Sequence, residues 1–246
     1  MMYKNYIFDL YGTLIDIHTD EDQPFVWDKL SAFYTMQGAN YNAAEIMNAY
    51  RSLVSTALAS PSPYTYREVR IEYIFAKLFS IKDVHPSDEL LLHVCELFRV
   101  LSTDYIKLYP GAKELLGLLR DRHTKLYLLS NAQRVFTEYE MKSLGIYEYF
   151  DGILFSSDAF CQKPEQAFYD RLFTSYQLEK SDSLMIGNDS ITDIQGASIY
   201  GLDTLYLHSN QSNSLPSKFQ ATYIQNPIDL TKVPELLKLD KKVTRS

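Results

Sequence analysis

The tightest constraint on this chain is a rhythm in its second half. Beyond Leu108, short apolar runs alternate with amphipathic stretches of helical length. The runs are KLYLLS (Lys125–Ser130), GILFS (152–156), SLMIG (Ser183–Gly187) and DTLYL (Asp203–Leu207). Between them fall YPGAKELLGLLRDR, residues 134–144 closed by Gly145, 164–176, and 191–200 closed by Gly201. A run that is apolar along its length suits a strand buried on both faces. Repeated strand–helix units of this size give parallel strands with helices on either side. A fifth run, 4–8, stands alone near the start with Tyr6, Ile7 and Phe8 contiguous. The expected fold is α/β, a doubly wound and mainly parallel sheet.

The first run is separated from the others by about ninety residues of different texture. DIHTDEDQP reads as a polar connector, after which Pro24 fits the first turn of a helix with Asp22 as its cap. That helix should run to about Gly38 with Phe25, Leu30, Phe33 and Tyr34 on one side. Helical spacing continues over Ala43–Ala59, 66–79 and 87–105, with no strand signal. Residues 16–104 are therefore expected to form a smaller all-helical cap domain, and 1–15 with 105–246 the α/β core. HSNQSNSLPS reads as a surface loop, and 234–239 as a last short helix.

Composition narrows the function. A net charge of −7 argues against a nucleic-acid partner, because phosphate neutralisation needs clustered Lys and Arg. The short basic run at Lys241 and Lys242 reads as a frayed tail. Cys95 and Cys161 lie far apart without metal-ligand spacing, so neither a zinc site nor a disulfide framework is expected. No segment reads as a signal peptide or a membrane span. The expectation is a cytoplasmic protein, monomer or homodimer, acting on a small molecule without a membrane partner.

Ligands of open parallel sheets bind beyond the carboxyl ends of the strands, so the residues just after each run carry the information. After the first come Asp9, Gly12 and Thr13; after KLYLL come Ser130 and Asn131. The loop after GILFS carries Lys163 before Pro164, and LMI is followed by GNDSITD with Asp189 and Asp193 four apart, on one face of a helical turn. Singly, each has an ordinary explanation as a helix cap, loop polar residue or solvated lysine. Jointly, four strand ends deliver three carboxylates, a hydroxyl and an ammonium to one rim.

In this order FDLYGTL, LLSNA, KPEQAFY and IGNDSITD resemble the four motifs of the haloacid dehalogenase-like hydrolases, which also carry a helical cap soon after the first motif. The resemblance implies Asp9 as nucleophile, Ser130 holding a substrate oxygen and Lys163 neutralising charge beside Asp9. It also implies Mg²⁺ held by Asp9, Asp189, Asp193 more indirectly, and the backbone carbonyl of Tyr11. Tyr11, Thr13 and Asn131 would contact substrate. Phosphoryl transfer asks for such a set: a nucleophile, cations against the equatorial oxygens, and donors that fix the group in line. Mg²⁺ suits oxygen ligands and keeps several waters.

Tyr11 departs from the family's phosphatases, which place a second Asp there as general acid. A phenol with a pKa of about 10 is a poor proton shuttle at neutral pH, and a general acid typically contributes about 10²–10⁴-fold. DLYGTL is the form of the family's 2-haloacid dehalogenases, in which the aspartate attacks carbon without metal and halide leaves unprotonated. Tyr169, six residues after Lys163, also stands where those enzymes carry a Tyr. Against that, Asp189 and Asp193 keep the acidic pair of the metal-dependent branch. Uncompensated acids beside Asp9 would be costly. The expected function is a Mg²⁺-dependent phosphatase of a small phosphorylated metabolite. The alternatives are a metal-independent dehalogenase-like hydrolase and a non-catalytic descendant that binds a phosphorylated ligand. Of the cap's arginines, Arg51, Arg67 and Arg70, none has a recognisable context, and Arg51 reads as a snorkelling surface residue. Tyr64 and Tyr66, in loop context beside Pro63, are the better candidates for a pocket lining than Tyr34, Tyr41 or Tyr73.

Overall fold

The computed structural model describes residues 3–239; Lys241 and Lys242 lie outside them. The described elements are β1 (Asn5–Phe8), β2 (Ile15–Thr19), α1 (Pro24–Met36), α2 (Ala43–Ala59), α3 (Ile71–Ser80) and α4 (Asp88–Ser102). There follow β3 (Thr103–Leu108), α5 (Ala112–Asp121), β4 (Lys125–Ser130), α6 (Arg134–Ser143), β5 (Gly152–Phe155), α7 (Ser156–Ala159) and α8 (Gln166–Tyr176). The last described elements are β6 (Ser183–Gly187), α9 (Gly196–Tyr200), β7 (Asp203–Leu207), β8 (Tyr223–Gln225) and α10 (Val233–Leu236).

Six strands form one sheet in the order β5-β4-β1-β6-β7-β8, every neighbouring pair parallel. The contiguous apolar runs are explained by burial on both faces. Tyr6, Phe8, Leu126, Leu128, Leu184 and Ile186 pack with Leu115, Leu119 and Val233 on one side. Ile7, Tyr127, Leu129 and Met185 pack with Phe168, Leu172, Ala197 and Tyr200 on the other. β1 is central, between β4 and β6, which sets its carboxyl end between theirs.

Helices α1 to α4 enclose a separate apolar cluster built around Trp27, Tyr34, Tyr50, Phe75, Phe79 and Phe98. Side-chain caps start two of them: Asn42 accepts from Glu45 N and Ser87 from Leu90 N. Phe136 of α6 joins this cluster from the sheet side. Cys95 and Cys161 are buried and free. Among the described residues, no helix is long and apolar enough to cross a membrane.

Several local expectations are corrected. The segment read as a polar connector and the end of the fourth helix instead form an antiparallel ribbon, β2 with β3, at the junction of helical block and sheet. α3 starts at Ile71 rather than 66, because 66–68 pairs with 160–162 in the loop after α7. α1 buries Val26, Trp27, Leu30 and Tyr34, whereas Phe25 is exposed. Its cap position is Gln23, without a side-chain bond; Asp22 pairs with Arg51 at 2.5 Å. α7, β8 and a π-helical turn over Ser190–Gln195 were not anticipated.

Candidate active site

Asp9 follows β1 and keeps its ladder, its N–H bonding Ile186 O at 2.9 Å, so its side chain is set on the rim by the sheet itself. It is 7% exposed. Oδ1 accepts from Lys163 Nζ at 2.7 Å and from Ser130 Oγ at 3.3 Å. Thr13 Oγ1 lies 3.2 Å from both Asp9 Oδ2 and Asn188 Oδ1, and its single proton serves one at a time. The turn between them needs Gly12: its φ is +79°, and a Cβ there would run into the Asn188 side chain.

Lys163 is 2% exposed, and its ammonium also bonds Asp193 Oδ1 at 2.7 Å. Burial alone would lower its pKa; the charges of Asp193 and Asp9 more than offset this and hold it protonated. Asp193 is pushed upward, chiefly by burial and then by the Asp9 charge, with Lys163 pulling the other way. One ammonium is thus shared between two carboxylates, with a third, Asp189, on the same cavity wall.

Asn131 anchors the lysine's backbone from both sides. Its Nδ2 donates to Lys163 O at 3.1 Å, and its Oδ1 accepts from Lys163 N at 2.7 Å. Asp189 caps the π-helical turn, Oδ1 accepting from the N–H groups of Ile191 and Thr192, while Oδ2 accepts from Asn213 Nδ2 at 2.6 Å. Asp193 Oδ2 accepts from Asp189 N at 2.9 Å. Tyr169 is fully buried and donates to Thr192 O at 2.7 Å, bracing that turn from behind.

Asp9, Tyr11, Ser130, Asn131, Lys163, Asp189 and Asp193 line one cavity of about 210 Å³. Thr13 is buried below it, against Asp9. Tyr11 contributes only its inner part, because its hydroxyl is turned outward to Glu140 and Thr137. Asn188, Thr192 and Gln211 also line the cavity and were not singled out from the sequence. Gln211 and Asn213 come from the loop read as mere surface. Asn210 and Gln211 both donate to the buried Asp16 carboxylate on β2, which draws this loop over the rim. The strand-end rule applied to β7 would have found them.

Among the described residues, no three His, Cys, Asp or Glu side chains converge as a ready-made metal cage. The wall nevertheless brings the Asp9 and Asp189 carboxylates together with the side-chain amides of Asn188 and Gln211. Two carboxylates plus waters suit a hard divalent cation, and the carboxylate excess calls for one. The chemistry available is nucleophilic attack by Asp9 with Lys163 and Ser130 ordering its carboxylate.

The model of the family described as haloacid dehalogenase-like hydrolase matches residues 3–201. The pyrimidine 5′-nucleotidase PynA of Streptococcus pneumoniae is 29% identical over 228 residues, 91% of each chain. The (S)-2-haloacid dehalogenase of Pseudomonas sp. strain YL is 24% identical over 213 residues, 83% of this chain and 82% of that one. The crystal structure of the HAD-hydrolase YfnB from Bacillus subtilis, bound to magnesium, superposes with a TM-score of 0.57 at 19% identity, covering 97% of this chain and 100% of the other.

Proposed function

The chain belongs to the haloacid dehalogenase-like hydrolases, and we propose that within them it is a Mg²⁺-dependent phosphatase working through an aspartyl-phosphate on Asp9. The observation that carries this reading is the carboxylate excess: among the described residues, Asp9, Asp189 and Asp193 face Lys163 alone as cation on the cavity wall. Attack on carbon with loss of halide has no use for such an excess, whereas a divalent cation turns it into a site. Bound there, Mg²⁺ would be held by Asp9, Asp189 and the Tyr11 carbonyl, with Asp193 acting through the Asp189 amide, and would offset charge on the transferring oxygens.

The chain's own groups do the rest. Lys163 and Ser130 both hold Asp9 Oδ1, which makes Oδ2, touched only by the Thr13 hydroxyl at 3.2 Å among the described residues, the attacking oxygen. An Oδ2–P bond forms as the bond from phosphorus to the leaving oxygen breaks. Water then attacks phosphorus and releases phosphate, restoring the Asp9 carboxylate. Lys163 and the Ser130 hydroxyl are the donors for the equatorial oxygens. Tyr11 supplies no proton: burial, and then the Glu140 charge, hold its phenol far above its ordinary value. The leaving oxygen therefore departs without a protein acid at this position, which favours aryl and acyl phosphates over alkyl ones. Residues 16–104 serve as the cap that screens the rim from water.

The substrate is a small phosphorylated metabolite. The nucleotidase relative places nucleoside monophosphates on the panel. The second reading, dehalogenation, rests on Tyr11 and the Pseudomonas relative. The deciding experiment assays p-nitrophenyl phosphate, acetyl phosphate, nucleoside monophosphates and 2-chloropropionate, each with Mg²⁺ and with EDTA. Phosphate release that EDTA abolishes is the expected result. Chloride release indifferent to EDTA would replace this reading with the second.

A further inference from the structure

Where the Tyr11 hydroxyl leaves the cavity, it enters a buried ion pair. It donates to Glu140 Oε2 at 2.5 Å and lies 3.0 Å from Thr137 Oγ1, both on α6. Arg99, on α4, donates from Nη2 to the same hydroxyl at 3.2 Å and to Glu140 Oε2 at 3.3 Å, and from Nε to Glu140 Oε1 at 2.5 Å. The guanidinium carbon lies 5.5 Å from the centre of the Tyr11 ring and 5.3 Å from that of Phe136. The Arg99 and Glu140 side chains are 16% and 10% exposed.

The three elements that meet here each serve the candidate site. Tyr11 is two residues beyond Asp9 on the same loop. α6 follows the strand that presents Ser130 and Asn131. α4 is the last helix of the helical block, and Arg99 sits one turn before it gives way to β3. There the Arg99 carbonyl accepts from the hydroxyls of Ser102 and Thr103, fixing the start of the return strand. A buried Arg–carboxylate pair held by two nitrogens has a defined geometry, and separating it strands a charge. It therefore holds α4 against α6 at a set position, and the Tyr11 hydroxyl ties the nucleophile's loop to that position. The proposed chemistry gives neither Arg99 nor Glu140 a task.

We propose that Arg99 and Glu140 are positioning residues for the reaction at Asp9, acting through the Tyr11 hydroxyl, so that the seating of the helical block on the sheet sets the geometry of the nucleophile's loop. Tyr11 is then present for the bond its hydroxyl makes, and is more than an acid lost. Only the kinetic readout rests on the phosphatase reading.

The test uses the full chain with Tyr11→Phe, Arg99→Met, Arg99→Lys and the double variant Tyr11→Phe/Arg99→Met. Tyr11→Phe deletes one oxygen and leaves the ion pair in place, so folding is not at stake. With p-nitrophenyl phosphate and Mg²⁺, Tyr11→Phe and Arg99→Met should each lower kcat by about tenfold or more while KM stays within about twofold. The double variant should fall no further than the worse single one, and Arg99→Lys should recover part of the loss. Effects that multiply in the double variant, or that fall on KM alone, overturn the proposal. Hydrogen exchange is read in parallel, since it needs no turnover. In Arg99→Met, amides of 9–15 should exchange faster while those of β6 and β7 keep their protection. If the wild-type chain releases no phosphate, the phosphatase reading fails, and unchanged protection at 9–15 is then what would sink the positioning role.

Discussion

A lysine 2% exposed, with carboxylate oxygens at 2.7 Å on two sides, is a structural tie and, in the proposed reaction, a catalytic group. Replacing Lys163 by Met removes the ammonium and leaves Asp9 and Asp193 buried against each other. That arrangement should cost about 3–5 kcal/mol, read as a lower denaturant midpoint. Turnover should fall by at least about 10²-fold, because the donor to the transferring oxygens goes with it. Arg at 163 should not restore either quantity, since a planar guanidinium does not fit a cleft shaped for a point charge. Asp9→Asn isolates the chemistry from the fold: it removes the nucleophile while retaining an oxygen for Lys163, so phosphate release should vanish with the fold retained. A variant that still turned over at the wild-type rate would remove Asp9 from the nucleophile's role. The residues of this core were readable because polar groups gather after four successive apolar runs, an order that separate explanations as caps or loop residues do not account for. Asn188 directly follows β6 and Gln211 lies four residues beyond β7, so the same rule reaches both, but an uncharged amide stands out less than a carboxylate or an ammonium.

Elements differ in how much of themselves they announce. The sheet strands other than the half-exposed β8 were legible because burial on both faces leaves an uninterrupted apolar run, and α2 and α4 because one apolar face repeats at helical spacing. The β2–β3 ribbon was hidden: IDIHT and TDYIKL are half exposed, and their few apolar residues fit a connector or a helix end equally well. The segment 64–70 was hidden for another reason. Its partners are distant in sequence: Glu68 N bonds Phe160 O, Tyr66 O accepts from Gln162 N, and Gln133 accepts from Ile71 N through Oε1 and donates to Val69 O through Nε2. Pairings of that kind leave no local period. The junction of β6 with the π-helical turn carries a prediction of its own. Gly187 ends the strand where the Asp193 side chain folds back, and an added Cβ would occupy the place of that carboxylate. Lys163 and the Asp189 amide pin Asp193, so it has no room to yield. Gly187→Ala should therefore destabilise the chain by about 1–3 kcal/mol and depress turnover together, measured by denaturation and by kcat on the same preparation. A variant with wild-type values of both would show that this turn is free to move.

At the scale of the whole molecule, the fold concentrates negative charge at one place that its own cations do not balance. The chain as a whole carries −7, and among the described residues Lys163 alone is shared at the rim between Asp9 and Asp193, while Asp189 leans on the amide of Asn213. Folding brings these acids together from two strand ends, β1 and β6, so their mutual repulsion belongs to the native state and is absent from the unfolded chain. A divalent cation that binds the assembled rim has no comparable site once the strands separate. Mg²⁺ should consequently stabilise the native state by mass action, by about 1.4 kcal/mol at ten times its dissociation constant. For a chain of this size that corresponds to a rise in melting temperature of about 3–6 °C. The rise should saturate with Mg²⁺ concentration, reverse with EDTA and exceed that given by the same ionic strength of NaCl, which only screens. Asp189→Asn removes one acid of the set and should shrink the Mg²⁺-dependent rise while raising the melting temperature measured without metal. Those two shifts run in opposite directions, which separates loss of a ligand from general damage. If NaCl reproduces the whole Mg²⁺ effect, the rim is a screened acidic surface and the metal-dependent reading fails with it.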